Sequence, residues 1–236
     1  MKNPVSFLKG IGITALFLML LALIFIESKQ PEAERCKPEA ERWYLEKAEE
    51  GDAESQYNLA LCYFEGTHEV ENSYEEAVKW FTKAAEQGHA ESQYKLGECY
   101  AYGYGRRKSQ TEAIKWFTKA AEQGHAESQC KLGECYAYGL PKSYTEAVKW
   151  FTLAAEQGDA EAQYQLGCLY YKQGEMEKAA LYYEMAAKQG NEKALFSLGD
   201  CYYYGQGVQQ SYEEAAKYYR KAAEEGYYSI DDDLFN

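Results

Sequence analysis

The 36 residues from Ala90 to His125 return, altered, at Ala53, Ala126, Ala160 and Glu192. A period of that size constrains the fold more than any other feature of the chain, because each unit is too small to bury its own apolar face and must stack on a neighbour. The period is strict. Trp43, Trp80, Trp116, Trp150, Tyr182 and Tyr218 follow one another at intervals of 37, 36, 34, 32 and 36 residues. From each of the first five to the leucine of the next unit (Leu59, Leu96, Leu132, Leu166, Leu198) the interval is always 16. Every change of length therefore lies inside a unit, ahead of its aromatic. One connection is fixed in geometry, and the other is a free loop.

Each unit divides into two helical patterns. Ala90, Tyr94, Leu96, Gly97, Cys99 and Tyr100 recur at mixed steps of three and four, which sets them along one side of a helix. Ala113, Ile114, Trp116, Phe117, Ala120 and Ala121 do the same in the second half. Gly88, Gly124, Gly158, Gly190 and Gly226 stop the second helix, since glycine accepts the left-handed conformation that helix ends favour. Asp52, His89, His125, Asp159 and Asn191 come next, where the following helix needs a cap. Asp and Asn suit that role, whereas the histidines are expected to cap poorly. Gly97, Gly133, Gly167 and Gly199, with Ala60 in the first unit, sit mid-helix, where glycine costs about 1 kcal/mol against alanine. Such a cost implies a close neighbour, and the expectation is a helix backbone passing beside each one. The units are then helix hairpins stacked side by side.

These runs resemble the Sel-one-like repeats (SLR), relatives of the tetratricopeptide repeats (TPR). The resemblance rests on QYxLGxxY (Gln93, Tyr94, Leu96, Gly97, Tyr100) and on the GxG turn (Gly103 with Gly105; Gly205 with Gly207, then Val208). It rests also on EAxxWFxxAAxxG (Glu112, Ala113, Trp116, Phe117, Ala120, Ala121, Gly124), and it spans roughly residues 39 to 227. It implies an all-α, right-handed α-solenoid of stacked helix-turn-helix repeats, acting as a non-enzymatic scaffold in assembly, secretion, signalling or protein quality control. Two units depart from the pattern. Leu140-Pro141 replaces the second glycine of the turn in the third, and in the fourth the loop shrinks to Lys172-Gln173-Gly174-Glu175, more like a plain TPR turn.

The organisation that follows is an N-terminal signal anchor or signal peptide at 1–29, a linker at 30–38 and a half-repeat cap at 39–52 carrying Trp43 and Tyr44. Five repeats (53–89, 90–125, 126–159, 160–191, 192–227) and an acidic tail at 228–236 complete it. Lys2 and Lys9 precede 16 uncharged residues, Ile11 to Ile26. A span needs about 20, which residues 5–26 supply if Lys9 snorkels, and no clean cleavage site follows. The favoured reading is an uncleaved membrane anchor with the repeats on the extracytoplasmic, periplasmic side; the alternative is a secreted or periplasmic soluble protein after cleavage. The formal charge of −13 argues against nucleic acid as a partner, because an acidic surface repels phosphate backbones. The one basic cluster, Arg106-Arg107-Lys108, reads as solvated. Cys62, Cys99, Cys135 and Cys201 share one core position, one per unit, and read as small buried side chains, while Cys36, Cys130 and Cys168 fall outside that pattern. The 24 tyrosines fall mostly on core positions and read as packing.

An active site needs unlike groups converging at one place, whereas a repeat supplies like groups at many places, so the sequence argues against catalysis. His89 and His125 hold equivalent turn positions in adjacent units, about 10 Å apart if the units stack at helix-packing distance, too far to share a metal. No metal or cofactor is expected. Ser92-Gln93-Tyr94-Lys95 and Ser128-Gln129-Cys130-Lys131 fit S-x-x-K, a β-lactamase signature, but on repeat helices, twice, and without the companion S-D-N and K-T-G motifs.

The remaining candidate is the row on the first helices that the core leaves unused. At the sixth position the units show Asn58, Lys95, Lys131, Gln165 and Ser197, and at the ninth Leu61, Glu98, Glu134, Cys168 and Asp200. By resemblance to TPR proteins this row lines the concave face, where Lys95 and Lys131 stand ready to hold a carboxylate of a peptide or another anionic group. Glu91 with Lys95 and Glu127 with Lys131 also read as i,i+4 ion pairs, each worth about 0.2 to 0.5 kcal/mol to the helix itself. The expected function is a scaffold or adaptor for a protein or peptide partner in the cell envelope. A β-lactam-binding hydrolase and a glycan-binding envelope protein are the alternatives. The glycan alternative arises because units two and three agree at 13 of 14 residues, Ala90 to Gly103 against Ala126 to Gly139, and identical neighbouring surfaces suit a repeating ligand.

Overall fold

The computed structural model describes residues 38–66, 72–139 and 142–227, and over these the chain forms eleven α-helices and no strand. Helix α1 (Pro38–Glu49) stands alone, and five hairpins follow. They are α2 (Ala53–Glu65) with α3 (Tyr74–Glu86), α4 (Ala90–Tyr102) with α5 (Gln110–Glu122), and α6 (Ala126–Tyr138) with α7 (Tyr144–Glu156). The last two are α8 (Ala160–Lys172) with α9 (Met176–Lys188) and α10 (Glu192–Tyr204) with α11 (Tyr212–Glu224). Each helix packs on the next in sequence, more extensively within a hairpin than between hairpins, and α1 packs on α2 as the second helix of a preceding unit does. The candidate anchor at 5–26, Cys36, His68, Leu140-Pro141 and the tail lie outside the described residues. Among the described residues no helix is long and apolar enough to cross a membrane.

The fixed connection between units is a glycine turn of constant design. Gly88 and Gly124 hold φ of 95° and 92°. The His89 N–H donates to Ala84 O and the Gly88 N–H to Ala85 O, the two bonds that close a helix in the Schellman manner. Asp159 Oδ1 then accepts from Ala162 N at 2.6 Å and Asn191 Oδ1 from Ala194 N at 2.9 Å, capping the next helix. The histidines cap too, through longer bonds than the Asp and Asn caps make. Nδ1 of His89 and of His125 accepts the backbone N–H of Ser92 or Ser128 at 3.2 Å. Their rings rest on Tyr57 and Tyr94 of the preceding unit, with centroids 5.0 and 5.1 Å apart, a contact that a carboxylate cap would lack.

The mid-helix glycines also differ from expectation in what they face. A Cβ at Gly97 would lie 2.5 Å from a carbon of the Phe117 ring, and Gly133, Gly167 and Gly199 are as close to Phe151, Tyr183 and Tyr219. The neighbour is thus an aromatic ring of the same hairpin and not a passing backbone. Close backbone approach occurs instead at the second glycine of the GxG turn, where a Cβ on Gly105 or Gly207 would collide with the carbonyl of Tyr74 or Met176 in the preceding unit.

Between the leucines and rings of the core runs a polar ladder. Gln56, Gln93, Gln129 and Gln163 are buried. Their Nε2 atoms donate to the carbonyls of Ala48, Ala85, Ala121 and Ala155 at 3.0, 3.0, 3.1 and 3.2 Å. Their Oε1 atoms accept from Gln87, Gln123, Gln157 and Gln189 at 2.8, 2.7, 2.8 and 2.9 Å. Each buried glutamine so joins the end of the preceding unit's second helix to the end of its own.

The ring against the glycine sets a stability test. Gly133→Ala is expected to destabilise the protein by about 1 to 3 kcal/mol through overpacking, despite the better helix propensity of alanine. In urea unfolding, a double-mutant cycle with Phe151→Leu is expected to show favourable coupling, because the smaller side chain makes room for the added methyl.

Candidate functional site

The nucleophile-like motifs turn out to be sealed. Ser92 and Ser128 are fully buried. Ser92 Oγ lies 3.0 Å from His89 Nδ1, and His89 Nε2 lies 3.0 Å from Glu54 Oε2. That hydroxyl, imidazole and carboxylate chain has the connectivity of a hydrolase relay. Its imidazole Nδ1, however, is already the acceptor for the Ser92 backbone N–H, and no substrate reaches the hydroxyl. The chain of bonds fastens the cap of one unit to the first helix of the unit before it. Among the described residues, no group of three or more His, Cys, Asp or Glu side chains is placed to hold a metal ion.

Cys62, Cys99 and Cys201 are buried in the equivalent core position, and Cys130 is buried beside it. Cys135 departs from that pattern, being only partly covered and accepting from Gln110 Nε2 at 3.2 Å. The six described cysteines are free thiols. Burial pushes Cys99 up to about 12, and Cys135 and Cys201 up to about 11, so these three are not thiolates near neutrality.

The first-helix row is engaged with itself, and in the first unit the core does use it, since Leu61 is buried there. Asn58 is buried and donates to Glu54 O at 3.0 Å and Glu54 Oε1 at 3.2 Å. Lys95 pairs with Glu98 and Lys131 with Glu134, both at 2.9 Å, in place of the expected partners Glu91 and Glu127. The reason lies in the caps. The carboxylates of Glu91 and Glu127 swing back to within 3.7 and 3.6 Å of His89 and His125 Nε2. Burial works against the Lys131 charge, but the hydrogen bond and charge of Glu134 outweigh it and raise the lysine above its usual range. Burial, with Glu98 beside it, also holds the Tyr94 hydroxyl far above the ordinary phenol range, and that hydroxyl donates to Glu98 Oε1 at 3.1 Å. Gln165 donates to Glu161 Oε1 at 2.7 Å and accepts from the Tyr138 hydroxyl at 2.6 Å.

What the row offers to solvent is aromatic. Tyr102 and Tyr138, at the ends of α4 and α6, are 56% and 49% exposed, so the reading of tyrosines as packing fails for these two. Their position was legible. Lys95, Glu98 and Tyr102 stand at i, i+3 and i+7, as do Lys131, Glu134 and Tyr138, so each trio lies on one helix face. Tyr138 spans from its own unit to Gln165 of the next, and Lys172 Nζ lies 5.4 Å from the centroid of its ring.

A Sel1 repeat family model matches residues 53–89, 90–125, 126–159 and 192–227, and a tetratricopeptide repeat model matches 161–189, the unit whose shortened loop resembled a TPR turn. No curated protein matches the chain. Among solved structures, it is similar to a protective antigen of uropathogenic Escherichia coli strains that displays an SLR fold. Identity is 36% and the TM-score 0.77, covering 81% of this chain and 42% of that one, so this chain spans less than half of that protein. A Sel1 repeat protein from Oxalobacter formigenes is 34% identical with a TM-score of 0.72, covering 88% of this chain and 82% of that one. An immunity protein, Pa5087 of Pseudomonas aeruginosa, shares the fold at 23% identity and a TM-score of 0.52, over 79% of this chain and 74% of its own.

The buried thiols supply a check on the packing described above. With a thiol reagent at pH 8, Cys201 is expected to react about a hundredfold more slowly in the native protein than in urea, as a rise of about two pKa units requires. Mass mapping of the labelled peptides reads the ratio.

Proposed function

Since the chain belongs to the Sel1 repeat family, whose solenoids are in general non-catalytic interaction scaffolds, we propose that it holds a protein or peptide partner along its first-helix face. The reading places that face, between Tyr102 and Tyr138, on the concave side and the protein in the cell envelope, anchored by residues 5–26. The observation that carries it is the pair of exposed tyrosines on adjacent units, flanking half-buried side chains that already satisfy one another's charge. Tyrosine is enriched at protein interfaces because it offers a large rigid surface with one polar end. Side-chain bonds between first helices of successive units, Glu54 with His89, Tyr138 with Gln165 and Glu161 with Asn191, support the inner placement of these helices. Lys95 and Lys131 then serve to hold Glu98 and Glu134 in place and are not free cations awaiting a carboxylate.

Neither alternative gains from the geometry. A β-lactam hydrolase needs an accessible serine, and Ser92 and Ser128 have none of their surface in solvent. A glycan array needs repeated surroundings, whereas Tyr138 meets Gln165 and the equivalent sixth-position residue beside Tyr102 is Lys131.

The test is an in-cell photo-crosslink from position 102 or 138, with position 149, exposed on the second-helix side, as the control. A discrete adduct from 102 and 138 that is absent from 149, and that is lost when the other tyrosine is changed to serine, is the expected result. Equal adducts from all three positions, or none from 102 and 138, would contradict the reading.

A further inference from the structure

The loops of units two and five are built alike, and one residue differs in kind. Gly105 and Gly207 both press on the start of the preceding unit's second helix, so the residue after each glycine, Arg106 or Val208, is aimed at the same seam between units. Val208 is partly buried and packs, with Tyr202 and Tyr218, against the apolar cluster shared by units four and five. Arg106 does not close the seam. Its guanidinium lies 4.1 Å from the Tyr100 ring centroid, its Nε is enclosed with no hydrogen-bond partner, and an open groove of about 410 Å³ remains beside it.

The groove is cationic and aromatic in a chain of formal charge −13. Its lining is Arg106 with Glu76, Lys79, Trp80, Thr82 and Lys83 of α3, three cations against one carboxylate. Glu76 is taken by Lys79 at 2.5 Å, which leaves Lys83, its Nζ 3.7 Å from the Trp80 ring centroid, and Arg106. An arginine with an enclosed N–H and no acceptor is costly where the equivalent position holds a valine without penalty. The enclosed Nε is beyond a ligand's reach, but the guanidinium lines the groove, and a carboxylate entering there meets a group that binds carboxylates through two parallel N–H donors. The indole offers a flat apolar face next to it.

We propose that this seam binds an acidic segment of a polypeptide, a carboxylate side chain reaching Arg106 and Lys83 while a neighbouring apolar side chain lies on the Trp80 indole. The polypeptide nature of the ligand rests on the scaffold reading above; the preference for a carboxylate does not. Neither Tyr102 nor Tyr138 lines the site, so the two surfaces are tested separately.

The test is a titration of the full chain, with tryptophan indoles labelled in 15N and the Trp80 signal assigned through Trp80→Phe. The probes are acetyl-Leu-Asp-Leu-Asp-amide, its Asn counterpart and inorganic phosphate. The aspartyl peptide is expected to shift the Trp80 indole signal saturably. Arg106→Val, the residue that unit five carries there, and Arg106→Gln are each expected to weaken binding about tenfold, as loss of a charged hydrogen bond implies, with no fall in the melting temperature. The Tyr102 and Tyr138 crosslinks are expected to survive both variants. No saturable shift at millimolar peptide, equal binding by the Asn peptide, or equal affinity in both Arg106 variants would overturn the proposal. Phosphate binding as tightly as the aspartyl peptide would also overturn it, by reducing the seam to a bare anion site.

Discussion

A glutamine side chain buried between two hairpins has no water to bond to, so both ends of its amide must find protein partners or the unit is destabilised by about 1 to 3 kcal/mol. In this solenoid that demand is what sets one unit's position against the next. Gln93 takes the carbonyl of Ala85 from the unit before and the amide of Gln123 from the end of its own hairpin, and the same arrangement recurs at Gln56, Gln129 and Gln163. Apolar contacts between leucines and rings tolerate sliding, whereas the directional hydrogen bonds of 3.0 to 3.2 Å to the preceding unit's carbonyls do not. The constant interval of 16 residues between each aromatic and the next leucine holds even into the fifth unit, where Leu195 replaces the glutamine, so the glycine turn fixes that length.

The ladder also explains the half-repeat. Helix α1 supplies the Ala48 carbonyl that Gln56 needs, which makes the half-repeat a working first rung and not a loose leader. Between the fourth and fifth units the rung is missing, because Leu195 and Glu225 replace both glutamines of the pair together, so neither leaves an orphaned amide. Phe196 packs instead on Tyr227, with ring centroids 5.3 Å apart. A quasi-one-dimensional fold needs its ends made unlike its middle. With the middle held in register, Tyr102 and Tyr138 are presented at a fixed separation by units that share nearly all of their first-helix sequence. The face is prepared by its neighbours, since Lys131 and Glu134 neutralise one another beneath it.

The hairpins, their order and the glycine stops were legible because they depend on periodicity and backbone conformation, which residue type reports directly. Pairings that depend on competition between neighbours were not. Glu91 stands at the ideal spacing for Lys95, yet the His89 imidazole draws it away, and Glu98 takes the lysine. The mid-helix glycines announced a close contact without saying that Phe117 or Phe151 supplies it. The glutamine ladder left a signal in the joint recurrence of QY in one helix and EQG at the end of the next, visible only when two motifs 26 to 31 residues apart are read as one. Arg106 read as solvated beside Arg107 and Lys108, and only the press of Gly105 on the preceding unit shows that it alone turns inward.

Hydrogen exchange on Gln129→Leu tests the central role of the ladder most directly, since leucine keeps the volume and removes both bonds at one rung. Faster exchange is predicted in the last turns of both α5 and α7, which lose the bonds at Ala121 and Gln157, with α2 and α3 unchanged. An increase confined to α6, or no increase at all, would show that apolar packing alone holds the units in register.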